Sequence, residues 1–532
     1  MYLGIDVGTG SCRAGVFNEQ GDLLGTAKKE IEIFRDGGHI VEQSSENIWS
    51  CVCESVKEVL SKPEISAEQI KGIGFDATCS LVVLDTDDQP LSVSLSSLPE
   101  RNVIVWMDQR ATKQAAEINE TGHRVLDYVG GTISPEMQTP KLLWLKEHIP
   151  STYDAAGGFF DLTDYLTWRA TGDKSRSVCT VTCKWTYLAH EKTWDASYFE
   201  TIGLSDLTKN NFERIGSKIV EPSKPLGHGL TKQAALDLGL IEGIPVAAGL
   251  IDAHAGGVGT IGAAGAPATS RMAYVFGTSA CTMSSSETMS FVPGVWGPYY
   301  SAMVPGLWLN EGGQSAAGEA IVHLLKLHPN YAIFNGEAEH KGYSLPDYLL
   351  LLIEERAPVA SEAIWLVDQM IVVPEFLGNR APFADPDARA IVSGLDLKSD
   401  IESLIRLYIA GISGLGYGLK QILNVQRENG VCPDTVVISG GAGEHPMIKQ
   451  LLADAANIEI AAPGSDEPVL LGSAMLGAVA AGSHSSVLGS MDAMSTLGKI
   501  YRPSKGLIAE THAKRFNVFQ ALQTASRLYR EI

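Results

Sequence analysis

The chain opens MYLGIDVGTGSCRAGVF, residues 1–17, and the fold turns on the reading of Ile5-Asp6-Val7-Gly8-Thr9-Gly10. An acid interrupts an apolar run just before a glycine-rich turn. Gly8 and Gly10 match the first two glycines of a dinucleotide-binding fingerprint, but Arg13 stands where the third is needed. The next dozen residues decide the matter. Ala14-Gly15-Val16-Phe17 reads as a strand, Asn18 to Asp22 as a turn, and Leu23-Leu24 resumes extended structure. The glycine loop therefore belongs to a β-hairpin and not to a strand–helix junction. A Walker A loop, Gly-x-x-x-x-Gly-Lys-Ser/Thr, occurs nowhere in the chain.

A hairpin turn of Gly8, Thr9 and Gly10 can wrap a phosphate, because small residues let successive N–H groups approach it and the hydroxyl adds a donor. Asp6 at the strand end would repel a polyphosphate unless a cation intervened, so this reading places Mg²⁺ beside it. Taken alone, Asp6 fits a turn cap equally well. A second strand, Ala273-Tyr274-Val275-Phe276, runs into Gly277-Thr278-Ser279, and the two turns would grip a triphosphate from opposite sides of a cleft. A third cluster, Ser439-Gly440-Gly441-Ala442-Gly443, follows the strand Val436-Val437-Ile438 and suits close backbone approach to a nucleobase or ribose.

Composition narrows the partners. The 532 residues hold 41 Lys plus Arg against 62 Asp plus Glu, and the net charge of −21 repels phosphate backbones and anionic lipid. Nucleic acid and membranes are excluded as expected partners. The N-terminus lacks a signal peptide's pattern, and the longest apolar run, Val469 to Gly482, is too short to span a bilayer, so the expected compartment is the cytoplasm. The eight cysteines form no dense framework; Cys179-x-x-x-Cys183 has no second pair to complete a zinc site, and reduced thiols are expected.

Short apolar runs alternate with amphipathic segments, the pattern of an α/β protein. Helices are expected after Ser44 or Ser45, where Trp49, Val52, Val56, Val59 and Leu60 form a stripe, from Asp400 to Val425, and from about Glu510 to Arg530. Gly256 to Ala268, rich in Gly and Ala, reads as the join between two lobes, 1–262 and 263–532, whose repeated strand–Gly-Thr pattern points to a shared topology.

In order and spacing the three loops resemble the ATP-binding turns of the sugar kinase/actin/heat-shock-70 superfamily. Further motifs resemble the FGGY carbohydrate kinases: Trp106-Met107-Asp108-Gln109-Arg110, Gly249-Leu250-Ile251-Asp252-Ala253-His254, Glu311-Gly312-Gly313-Gln314-Ser315-Ala316 and Gly472-Ser473-Ala474-Met475-Leu476-Gly477-Ala478. The resemblance runs from about residue 2 to 482. It implies two ribonuclease-H-like lobes of the actin/hexokinase type, ATP and Mg²⁺ as cofactors, and phosphoryl transfer to a sugar. Asp252 takes the family's place of the catalytic base and, with Asp6, of a metal ligand; Arg13 takes that of a cation near the phosphates. His254 reads as a support and not as the base. The Pro374 to Arg389 segment, with Gly378-Asn379-Arg380-Ala381-Pro382, is similar to the family's Pro-rich loop and acquires no catalytic role.

Cys183-Lys184-Trp185 and Glu311 before its glycines look like ribulokinases more than glycerol kinases or xylulokinases, and Thr78-Cys79-Ser80 with Leu81-Val82 resembles the D-ribulokinase-like branch. They imply D-ribulose as acceptor, with Thr78, Cys79, Ser80, Asp108, Lys184 and Glu311 as sugar contacts alongside Asp252. Trp106 and Arg110 flank Asp108, and Trp106 fits a core position as well. Left open are other acceptors (L-ribulose, D-xylulose, ribitol), an actin-like or chaperone-like ATPase with no sugar, and a homodimer.

Overall fold

The computed structural model describes residues 1–528 and 530. Five strands form the N-terminal sheet: Tyr2–Val7 (β1), Ser11–Phe17 (β2), Leu23–Glu30 (β3), Gly72–Ala77 (β4) and Leu250–Ile251 (β5), in the order β5-β4-β1-β2-β3. The first three make an antiparallel meander, and β4 and β5 add in parallel. A seven-stranded C-terminal sheet contains Arg271–Phe276 (β6), Ala280–Ser286 (β7), Trp296–Tyr300 (β8), Trp308–Gln314 (β9), Thr435–Ser439 (β10), Glu459–Pro463 (β11) and Leu497–Tyr501 (β12), in the order β8-β9-β7-β6-β10-β11-β12. Its inner five, β9-β7-β6-β10-β11, repeat the order and the directions of the N-terminal five. The chain thus has the two-lobe α/β architecture of the actin/hexokinase type, one topology used twice.

Six helices position the loops and acids between the lobes: Ser45–Leu60 (α1), Val178–Trp185 (α2), Asp252–Ile261 (α3), Ile401–Glu428 (α4), Pro446–Ala456 (α5) and Pro468–Ala480 (α6). The first starts where its capping residue allows, with Ser44 Oγ accepting the Asn47 N–H at 3.3 Å, and its Trp49, Val52, Val56 and Val59 are buried. Asp400 caps α4 through the Ser403 N–H at 2.9 Å, and the helix runs to Glu428, three residues past the expected end.

The lobes are joined more tightly than expected. Gly256 to Ile261 is the buried second half of α3 and not a linker, so the joining stretch shrinks to the residues after Ile261. Small residues there serve close packing. A Cβ at Gly259 would run into the Pro468 carbonyl, and one at Gly472 into the Ala255 carbonyl, so α3 and α6 touch backbone to backbone. Each helix follows the fifth core strand of its own lobe and lies against the sheet of the other, α3 on β6 and β10, α6 on β1 and β4. Gly4 and Gly74 make room for α6, since a Cβ on either would strike the carbonyls of Leu470 and Ser473.

Among the described residues no helix is long and apolar enough to cross a membrane. All eight cysteines are unpaired.

Candidate active site

Both Gly-Thr turns are hairpin bends. Val7 pairs with Cys12, and the Gly8 N–H donates to the Ser11 carbonyl at 3.0 Å; Phe276 pairs with Ala280, and the Gly277 N–H donates to the Ser279 carbonyl at 2.9 Å. Thr9 is held from outside the bend: its Oγ1 accepts the Trp106 indole N–H at 2.9 Å and its carbonyl accepts from Gln43 Nε2 at 2.7 Å. The third loop joins β10 to α5. Gly440 has φ +93°, and a side chain there would press on the Phe276 carbonyl, so this glycine lets the third loop lie against the second. Gly277, Thr278, Gly441 and Ala442 open onto a cavity of about 720 Å³ whose apolar wall includes Ile321, Leu350, Tyr408 and Ile412. Its size suits a small-molecule cofactor.

Beyond the first bend lie three carboxylates. Asp6 on β1 stands in register with Asp76 on β4, and Asp252 is the first residue of α3. Arg13 spans two of the site's acids: Nε and Nη2 donate to Asp6 Oδ2 at 2.9 and 2.5 Å, and Nη1 to Glu467 Oε2, just before α6, at 2.6 Å. Asp76 accepts from Ser473 Oγ of α6 at 2.5 Å, while its buried Oδ1 meets no donor among the described residues. Burial, and then the Asp6 charge, push Asp76 well above the usual carboxylate range. Burial and Asp6 likewise raise Asp252 to about 6, held back by the Ala253 N–H at 2.7 Å and by His254 and Lys184.

On the other side of Asp252, α2 brings Lys184 and β9 brings Glu311. Both are buried. Lys184 Nζ sits 5.0 Å from the centre of the Trp296 ring and has no hydrogen-bond partner among the described residues. Burial would raise Glu311, but Lys184, His254 and Arg380 together hold it down to about 2. His254 lies between two partners, with Nδ1 3.1 Å from Cys179 Sγ and Nε2 3.4 Å from Glu311 Oε2. Against burial, Cys179 and Glu311 push the imidazole upward, and the Cys183 thiol and His254 pull Cys179 downward. Thr78, Cys79 and Ser80 are buried after β4, with Thr78 Oγ1 and Ser80 Oγ 3.0 Å apart.

Residues 1–259 match the N-terminal domain, and residues 272–481 the C-terminal domain, of the FGGY family of carbohydrate kinases. The chain belongs to that family. It is 44% identical over 541 residues to the FGGY carbohydrate kinase domain-containing protein of Homo sapiens, covering 99% of this chain and 97% of the relative. With a D-ribulokinase of Saccharomyces cerevisiae it shares 38% identity over 513 residues, 90% of this chain and 72% of that one. A xylulose kinase from Rhodospirillum rubrum superposes with a TM-score of 0.81 at 22% identity, covering 100% of both chains, and one from Lactobacillus acidophilus with 0.80 at 19%, covering 98% and 97%. These structures share the fold.

This FGGY kinase is accordingly a sugar kinase that uses ATP with Mg²⁺. Asp6, Asp76 and Asp252 are hard oxygen donors of the kind the ion takes; burial, and then the Asp6 charge, raises Asp76 and Asp252, so a cation held there would offset that charge. Asp76 was missed in the sequence because a buried strand residue reads as core. Arg380 was also missed. In the Pro-rich loop its guanidinium sits 5.6 Å from the Trp296 ring centre, and its charge acts on Glu311. Asp108, expected to meet the sugar, is instead fully buried and fully engaged. Arg110 Nε and Nη2 donate to its two oxygens at 2.8 Å each, and the Val41 N–H donates at 2.7 Å. Arg110 also pairs with Glu42 at 2.8 Å, so neither end of this pair is left to face a ligand.

Proposed function

We propose that this kinase phosphorylates a ketopentose, D-ribulose before others, at its primary 5-hydroxyl to give D-ribulose 5-phosphate, with Asp252 as general base. The observation that carries the reading is the position of Asp252: first residue of α3, buried within reach of the Asp6 charge and of the Lys184 and His254 charges, with its carboxyl raised to about 6. A carboxylate tuned near the working pH both stays ionised and accepts a proton. In the proposed step the sugar oxygen attacks the γ-phosphorus, the bond to the bridging oxygen of ADP breaks, and Asp252 takes the hydroxyl proton. Mg²⁺, held by the aspartates, would neutralise charge on the phosphates.

Thr278, Ser279 and the Gly8–Gly10 bend offer N–H and hydroxyl donors to the phosphates, and Gly440, Gly441 and Ala442 admit the adenosine. Arg13 acts through the carboxylates it holds. Lys184 and Glu311 supply a donor and an acceptor for sugar hydroxyls; because Glu311 already faces His254 while buried Lys184 has no hydrogen-bond partner among the described residues, a sugar lacking the matched hydroxyl would leave the Lys184 charge unsatisfied. Identity to the yeast D-ribulokinase over 90% of this chain supports D-ribulose among the pentuloses. Eight unpaired cysteines support the cytoplasm as its compartment. The proposal keeps the division between the two lobes at 262/263.

The test is ADP release with Mg-ATP against D-ribulose, L-ribulose, ribitol, D-xylulose and glycerol. We expect the highest kcat/KM for D-ribulose. A higher value for another acceptor would reject the D-ribulose assignment and leave the kinase chemistry standing.

A further inference from the structure

We propose that Cys179, Cys183 and His254 form a zinc site that fastens α2 to α3. The cluster lies outside the acid group assigned to Mg²⁺. Cys179 and Cys183 are four residues apart on α2 and so share one face, and His254 enters from the first turn of α3. Their ligand atoms all lie within 4.8 Å of one another. Tetrahedral zinc with bonds of about 2.3 Å to sulfur and about 2.0–2.1 Å to nitrogen separates its ligand atoms by about 3.5–3.8 Å, so side-chain adjustment alone brings the three donors to a common ion. The His254 ring is already oriented for it. Nδ1 faces Cys179 Sγ at 3.1 Å, and Nε2 faces Glu311 Oε2 at 3.4 Å, the outer carboxylate that zinc-bound imidazoles recurrently use.

Charge and softness point the same way. All three residues are buried, and two thiolates with Zn²⁺ sum to zero, which a dry interior tolerates far better than separated charges. Thiolate and imidazole select zinc over the magnesium that the neighbouring carboxylates suit. A small exogenous donor such as water would have to supply the fourth ligand. The scaffold behind the donors is firm: Ser177 Oγ, at the start of α2, donates to the Gly249 carbonyl at 2.7 Å, and the Ile251 N–H points at Cys179 Sγ at 3.4 Å. Lys184 follows Cys183 and Asp252 precedes His254 by two residues, so the ion would set the spacing of the two helices that carry them.

The experiment uses full-length protein prepared without a polyhistidine tag or chelator. Metal analysis after exhaustive dialysis should find about one zinc per chain, lost at least tenfold in Cys179→Ser and in Cys183→Ser and retained in Cys432→Ser, a change at an exposed cysteine. Replacement by Co²⁺ in the wild-type protein should give a thiolate-to-cobalt charge-transfer band. That readout needs no variant to fold and no sugar to turn over, so it stands or falls apart from the kinase assignment. Wild-type protein that holds no zinc and shows no such band with added Co²⁺ would overturn the site. Zinc kept unchanged by folded Cys179→Ser and Cys183→Ser proteins would overturn it as well.

Discussion

Replacing Asp252 by Asn tests the centre of the proposed chemistry at almost constant shape. Before Mg-ATP binds, burial and the Asp6 charge hold the carboxyl up at about 6, so in the free enzyme roughly nine-tenths is ionised at pH 7 and roughly one-tenth at pH 5. Wild-type kcat/KM should therefore fall about tenfold for each pH unit below about 6, because that ratio reports the free enzyme's base. An amide cannot take the proton. Loss of a general base costs about 10²–10⁴ in rate, or about 2.7–5.4 kcal/mol of transition-state stabilisation at about 1.36 kcal/mol per tenfold. The fold should hold, since the lost charge at the α3 N-terminus is worth about 0.3–1 kcal/mol and repulsion from Asp6 is relieved at the same time. Steady-state ADP release from pH 5 to 8, with ATP affinity measured by calorimetry, separates the effects: turnover should drop at least a hundredfold, the acid limb should vanish, and ATP affinity should stay within a few-fold. A variant that keeps a tenth of wild-type turnover, or the same acid limb, would refute the assignment.

Gly441→Val places a branched side chain where a Cβ meets no atom within 4 Å and where the loop borders the large cavity. The KM for ATP should rise about tenfold or more while melting temperature and sugar KM stay near wild type, as two-substrate kinetics and a thermal melt would check; an unchanged ATP KM would move the nucleotide elsewhere. Asp108→Asn breaks the buried pair with Arg110 and should cost about 3–5 kcal/mol of stability, read as a lower melting temperature. At a temperature where the protein is folded its sugar KM should be unaltered, and a raised sugar KM would restore Asp108 to the sugar site.

Local rules account for much of what the sequence disclosed. A strand, a Gly-Thr bend and another strand define a hairpin within about fifteen residues, and both hairpins form where the chain signals them. The ends of α1 and α4 follow from Ser44 and Asp400, whose side chains satisfy N–H groups only a turn away. Where the reading erred, the cause was nonlocal. Gly256 to Ile261 has a linker's composition, yet its small residues exist because α6 crosses α3 at backbone distance. Asp108 has a ligand-binding residue's chemistry, yet Arg110, two residues away, turns back on it inside the core.

The sequence by itself determined the α/β class, the two Gly-Thr bends and the motifs that identify the family, because backbone geometry and short-range hydrogen bonding act over a few residues. Only the tertiary structure decided which acids stand together, that Arg13 is shared between Asp6 and Glu467, that Arg380 reaches the Glu311 neighbourhood, and that Cys179, Cys183 and His254 meet. Those are electrostatic and packing relations between segments far apart along the chain, and their energies depend on distance and burial, quantities that no spacing along the chain contains.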